Sequence, residues 1–186
     1  MKRQRVIKVG GSLLDLPDLR KRILDWIEKA EPRRNVFLVG GGGLCNEFRS
    51  LDARYQLGEG FSHDRCLELM SVTAQVLGKI MGKRVVHSFS QLSVEDEDVV
   101  FDCRSWLQAK GESLPRNWGL TSDSISALVA RELDCSRSET GTVLEGIGVE
   151  LCLFRSIRSN RDTDDCFEEF SRGLNVRLIN LRQVAD

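Results

Sequence analysis

Residues 6–14 read Val-Ile-Lys-Val-Gly-Gly-Ser-Leu-Leu, an apolar run of strand type that carries one ammonium and then breaks into two glycines and a hydroxyl. Lys8, set among Val6, Ile7 and Val9, is costly to bury unless an anion meets it. Gly10 and Gly11 allow close backbone approach, so their amides and the Ser12 hydroxyl suit a phosphate. A plainer alternative stays open, a strand lysine whose head reaches solvent beside an ordinary glycine turn. A second glycine run, Gly40, Gly41, Gly42 and Gly43, follows residues 35–39 (Asn-Val-Phe-Leu-Val) and precedes a helical pattern that begins with Leu44, Cys45 and Asn46. Four residues without side chains cost more conformational entropy than a turn requires, which favours contact with a phosphate or anionic substrate over a merely flexible turn. The third cluster is residues 118–127, Trp-Gly-Leu-Thr-Ser-Asp-Ser-Ile-Ser-Ala. Thr121 or Ser122 can cap a helix there and leave Asp123 in its first turn; the same hydroxyls and carboxylate suit substrate groups or the holding of a nearby lysine. His63 and Asp64 stand near the start of a long helix and could touch substrate, although the helix dipole alone favours an acidic residue there.

These side chains converge only if the chain folds so as to bring them together. Residues 6–9 and 35–39 supply two strands, and residues 17–30 a helix between them, with Pro17 suited to the first turn and Leu19, Ile23, Trp26 and Ile27 at helical spacing. A strand, helix, strand unit of this span favours a right-handed parallel crossover. Both glycine runs then lie at the carboxyl edge of a parallel sheet, where ligand crevices form. Ser62 is expected to cap a long helix with Cys66, Leu69, Met70, Thr73, Leu77 and Ile80 along one face. Residues 84–88 and 99–101 read as short strands separated by the acidic run 95–98, a solvated loop. Further on come a short helix over 103–110, a loop over 111–115, a polar connection over 136–148 and a strand over 149–154. A basic loop with Arg155, Arg158 and Arg161 follows on the ligand edge, then a short helix capped by Thr163 and running through Asp164, Asp165, Phe167 and Phe170, and a last strand over 176–179.

The 186 residues suffice for one core and not for two ordinary domains, so a single domain over 1–186 is expected. The net charge of -1 arises from 27 basic and 28 acidic residues that are interspersed, which announces no polyanion-binding face and no nucleic-acid partner. With neither a long apolar span nor a leader-like start, the chain reads as a cytoplasmic protein with no membrane partner. Its six cysteines form no C-x-x-C pair and are expected as reduced, packed thiols, with no metal site assigned. Neither glycine run is a Walker A motif, and Cys45 stands where G-x-G-x-x-G would need its last glycine.

In this order, the motifs at 6–12, 39–43 and 120–124 resemble those of the amino acid kinase family, which includes acetylglutamate, aspartate, carbamate and uridylate kinases. The likeness covers most of the chain and is greatest to a small branch that includes the aminomethylfuran phosphate kinase of methanofuran biosynthesis. It implies an α/β fold, an open and mainly parallel sheet between helix layers. It also implies an enzyme that transfers the ATP γ-phosphoryl group to a phosphate or carboxylate of a small-molecule substrate, in a one-carbon cofactor pathway of the methanofuran or tetrahydromethanopterin type. ATP and Mg²⁺ are the implied cofactors, and a homodimer or higher homo-oligomer the implied assembly. Lys8 would stabilise the transferring phosphoryl group and Asp123 would position that lysine. Gly10, Gly11, Ser12 and Arg155 would hold phosphate, and Gly40 to Gly43, Asn46, His63, Thr121 and Ser122 the acceptor. Such chemistry asks for positioning and positive charge rather than a covalent nucleophile. The chain departs from the family's pattern after residues 149–154, where no Asp-Gly follows, Arg155 stands where some relatives have lysine, and the nucleotide-binding part is shortened. A catalytically silent relative that acts as a ligand-binding or regulatory subunit is the alternative.

Overall fold

A computed structural model describes residues 4–92, 97–139, 149–155 and 163–183. Parts of the expected acidic loop, polar connection and basic loop, including Arg158 and Arg161, lie outside the described residues. The chain alternates strands and helices: β1 (Gln4–Val9), α1 (Leu19–Lys29), β2 (Arg34–Val39), α2 (Gly42–Tyr55), α3 (Glu59–Met81), β3 (Val85–Val86), α4 (Phe89–Leu92), β4 (Val99–Phe101), α5 (Arg104–Lys110), α6 (Ser122–Glu139), β5 (Glu150–Arg155), α7 (Phe167–Ser171) and β6 (Asn175–Asn180). Short 3-10 turns lie at Gly11–Leu13 and Gly111–Ser113.

The six strands form one sheet in the order β3-β4-β2-β1-β5-β6, and every pairing is parallel. Strand β1 is central, with Lys8 level with Leu38 of β2 and Leu153 of β5. Its six residues and those of β2 are all buried, as expected where helices cover both faces of a parallel sheet. Alternation sorts the side chains into two cores. Val6, Val36, Leu38, Leu151 and Leu153 pack with α5, α6 and the first half of α3 through Leu67, Leu107, Ile125 and Val129. Ile7, Val9, Phe37, Cys152 and Phe154 pack with α1 through Leu19 and Ile23, and with the second half of α3 through Ala74, Leu77 and Met81. Helix α3 thus serves both cores. Full burial of a Leu, Ile or Phe side chain contributes about 1.5–3 kcal/mol, so these two cores hold the sheet and its helices together.

Several sequence expectations change. Helix α3 starts at Glu59, after Gly58 at φ 94°, so Ser62 is an interior, fully buried residue and not its cap. A glycine at positive φ breaks the chain at little cost, and Glu59 in the first turn suits the helix dipole. The strand expected over 84–88 is only Val85–Val86. The short helix after 163 begins at Phe167, and Asp164 serves elsewhere, as described below.

Candidate active site

The two glycine runs meet backbone to backbone at the carboxyl edge of β1 and β2. The Gly10 amide donates to the Phe154 carbonyl at 2.8 Å and the Gly40 amide to the Val9 carbonyl at 3.0 Å, which fastens both turns to neighbouring strand ends. A Cβ on Gly11 would overlap the Gly42 amide and the Gly40 carbonyl, and one on Gly42 would fall 2.5 Å from the Gly11 carbonyl oxygen. Gly42 also sits at φ 56°, where only glycine is unstrained. Gly40 leaves room for the Ser122 hydroxyl, 2.8 Å from where its Cβ would be. Gly42 and Gly43 open helix α2, and the first amides of a helix have no intrahelical acceptor, so the turn offers donors and a positive dipole end to an anion.

Beneath this cradle lies a three-residue charge cluster. Lys8 Nζ is 2.8 Å from Asp123 Oδ1, and Arg155 Nη2 donates to Asp123 Oδ2. Lys8 is 6% exposed and Asp123 8% exposed. Two cations on one carboxylate leave an excess positive charge at low dielectric, a strong attractor for a third, anionic party. Strand β1 supplies Lys8, the end of β5 supplies Arg155, and the first turn of α6 supplies Asp123.

Asp164 fixes the start of α6. Its Oδ2 accepts from the Thr121 amide at 3.0 Å, the Thr121 hydroxyl at 2.6 Å and the Ser124 amide at 3.2 Å, and its Oδ1 accepts from the Ser124 hydroxyl. Thr121 therefore spends its hydroxyl on Asp164 rather than on capping α6 itself. A carboxylate at a helix N-terminus satisfies free amides and complements the dipole.

The cavity above Lys8 has a volume of about 360 Å³ and is lined by Lys8, Gly10, Gly11, Ser12, Gly40, Gly41, Gly42, Asn46, His63, Thr121, Ser122, Asp123 and Arg155. Of the site residues expected from sequence, Gly43 and Asp64 do not line it; Gly43 is exposed, with open space where a Cβ would stand. The lining also includes residues that the sequence reading passed over, among them Arg49, Trp118, Cys45 and Cys66. Arg49 stacks 4.7 Å above the Trp118 ring, whose Nε1 donates to Asp52 at 3.2 Å. The Cys45 thiol donates to the Cys66 carbonyl at 3.6 Å. The neighbouring Cys66 side chain and burial push the Cys45 thiol above its ordinary pKa, and the Cys45 side chain draws Cys66 below its own against the opposing effect of burial. The described cysteines 45, 66, 103, 152 and 166 carry free thiols.

His63 is 6% exposed and neither ring nitrogen has a hydrogen-bond partner. Burial lowers its pKa, opposed by the Asp64 carboxylate and the Leu120 carbonyl; Nδ1 lies 4.0 Å from Asp64. Asp64 itself is bound by the Arg116 guanidinium, so it is an ion-pair member in the second turn of α3 rather than a first-turn dipole residue.

Among the described residues no group of three His, Cys, Asp or Glu side chains is placed to hold a metal, and no helix is long and apolar enough to cross a membrane.

Over 145 residues the chain is 25% identical to the [5-(aminomethyl)furan-3-yl]methyl phosphate kinase of Methanocaldococcus jannaschii, a match that covers 76% of this chain and 67% of that protein. Uridylate kinase from Archaeoglobus fulgidus superposes with a TM-score of 0.54 at 18% identity, over 84% of this chain and 64% of that one. UMP kinase from Bacillus anthracis superposes with a TM-score of 0.65 at 12% identity, over 98% of this chain and 89% of that one. The chain thus spans about two thirds of the length of the first two of these relatives. No protein-family model matches it. Sequence and backbone agree, and the chain is a homologue of an aminomethylfuran phosphate kinase with the fold of the amino acid kinase family.

Proposed function

We propose that the chain is an ATP-dependent kinase that transfers the γ-phosphoryl group to a phosphate or carboxylate of a small metabolite. The observation that carries this reading is the buried cluster in which Lys8 and Arg155 share Asp123 beneath two interlocked glycine turns. Similarity to a kinase whose substrate already bears a phosphate supports a phosphorylated acceptor, in a one-carbon cofactor pathway of the methanofuran or tetrahydromethanopterin type. The enzyme would work in the cytoplasm, as a homodimer or higher homo-oligomer.

In this reading Lys8 stabilises charge on the transferring phosphoryl group, and Asp123 holds the ammonium in place. The amides around Gly10, Gly11 and Ser12, with Arg155, take the nucleotide phosphates. Gly40, Gly41, Gly42, Asn46, His63, Thr121 and Ser122 face the acceptor. The backbone cradle that a Cβ would fill at Gly11 and Gly42, together with the excess positive charge, fits a phosphate chain. Magnesium would be carried by the phosphates themselves, as is usual for this ion, and would supply further neutralisation of charge in the transition state. Arg155 is always charged and forks where a lysine would be a point, so it serves a phosphate oxygen while keeping one nitrogen on Asp123. The rival reading, a silent ligand-binding subunit, gains nothing from a cavity end that keeps two cations on one carboxylate.

Transfer of radiolabelled γ-phosphate from ATP to phosphorylated and carboxylated acceptors tests the proposal. Lys8→Ala should lower the rate on the order of 10²–10³-fold, the usual loss for one transition-state contact. Unchanged activity in that variant would overturn the role given to Lys8. Acceptor binding without any binding of ATP–Mg²⁺ in calorimetry would favour the silent subunit.

A further inference from the structure

A second cavity, of about 330 Å³, adjoins the first and shares His63, Leu67 and Leu120 with it. Beyond that common wall it is lined by the apolar Leu107, Leu114 and Pro115, with the uncharged amide of Gln108 beside them. The Arg116–Asp64 ion pair also lines it, and each charge there has its counter-charge. Nothing in this cavity therefore calls for a charged occupant. At the common wall, however, stands His63, more than nine-tenths buried, with the Leu120 carbonyl nearby but neither ring nitrogen in a well-formed hydrogen bond. Leaving a buried donor or acceptor unsatisfied costs about 1–3 kcal/mol, and an imidazole that lines two cavities is where a ligand would recover that cost. The first cavity alone, at about 360 Å³, is near the small end of ligand sites, and the charge cluster occupies one end of it.

We propose that the second cavity receives the non-reacting body of the acceptor, an uncharged and ring-sized apolar group whose polar substituent, a hydroxyl, ether or amide, hydrogen-bonds to His63. This rests on the kinase reading only in naming the ligand an acceptor. The imidazole, kept neutral by burial, offers one donor and one acceptor nitrogen and so discriminates against a second anion at this point. The acceptor is thus elongated, with its anionic end toward Lys8 and its apolar end past His63.

Calorimetry on the full chain without nucleotide, with inorganic phosphate, benzyl phosphate and 3-phenylpropyl phosphate as probes, tests this. At least one arylalkyl phosphate should bind about tenfold or more tighter than inorganic phosphate, as burial of a ring allows. Leu114→Trp, which fills the cavity, should remove that gain and leave inorganic phosphate binding as it was. Leu114→Phe, a smaller filling, should reduce the gain in part and covers the case in which the tryptophan variant does not fold. Equal binding of all three probes, or a gain insensitive to both variants, would overturn the subsite. A protein that shows the gain yet never transfers phosphate from ATP would keep the subsite and lose the kinase reading. One that phosphorylates a compact acceptor while showing no gain would do the reverse.

Discussion

Lys8 and Asp123 face each other at 2.8 Å across the end of β1 and the start of α6, and Asp123 simultaneously holds Arg155. The asymmetry of this cluster gives a first prediction. Asp123→Asn leaves two buried cations without an anion and should cost about 3–5 kcal/mol, the usual effect of removing one partner from a buried pair. Lys8→Met leaves the Arg155–Asp123 pair whole and should cost less. Urea denaturation of both variants measures the difference, and equal stability would contradict the arrangement.

The glycines should separate sharply. We predict that Gly11→Ala and Gly42→Ala each lower stability by about 1–3 kcal/mol, since the added methyl has only backbone to displace. Gly43→Ala, with open space around it, should stay within about 0.5 kcal/mol of the parent. Thermal melts compare the three, and phosphate titration should show weakened binding for the first two alone.

Asp164 offers a test of how the start of α6 is held. Asp164→Asn puts an amide nitrogen where the carboxylate accepts from Thr121 and Ser124, and we expect a loss of about 1–2 kcal/mol. Because the same turn carries Asp123, phosphoryl transfer should fall as well, in kcat more than in KM. A variant that is destabilised with full turnover would limit Asp164 to a structural part.

Acid should expose the opposite end of β1. There Arg5 Nε is 2.6 Å from Glu150, with Arg33 and Arg177 each at 3.3 Å. Burial pushes the Glu150 carboxyl up, but the three guanidiniums together outweigh it and hold the group below the usual glutamate range. A depressed carboxylate stabilises the fold fully above its unfolded pKa, about 4.3, and loses that contribution as pH falls through the folded value. Stability should therefore drop on acidification below that range, and Glu150→Gln should be less stable at neutral pH with a flatter acid limb. Chemical denaturation across about pH 3 to 7 would show it; an acid limb as steep as the parent's would sink the assignment.

Much of this site was legible from sequence because its pieces are local. Lys8 with Gly10 and Gly11, the tetraglycine turn and the 121–124 helix start each announce themselves within a few residues, and strands β1 and β2 are apolar runs with little competition. What sequence could not give is long-range pairing. Asp164 lies 40 residues from Ser124 in the chain, and its acidic neighbour and the following phenylalanines suggested a helix start of its own. Arg49 and Trp118 come together only because the middle of α2, through Arg49 and Asp52, lies against the loop before α6. Ser62 was misread as a cap since a serine before an apolar stripe carries the local signal, whereas Gly58, at positive φ, is the residue that ends the preceding turn. The cysteines at positions 45 and 66 are the packed, free thiols expected, but nothing in their spacing placed them in contact on the wall of one cavity.

Strand β1 is buried on both faces, so its apolar residues alone would accept neighbouring strands in more than one alignment. Arg5 points with Ile7 toward α1, 5.1 Å from the Trp26 ring, and Lys8 points with Val6 toward α6. A slide of one residue would turn both charges to the wrong face at once, setting the ammonium among Leu13, Ile23 and Phe37 and the guanidinium against the opposite core. Each misplaced charge would cost several kcal/mol. The two ions of β1 thus act as keys that admit a single alignment of the central strand, and the lysine that meets Asp123 at the crevice also proofreads the assembly of the sheet that carries it.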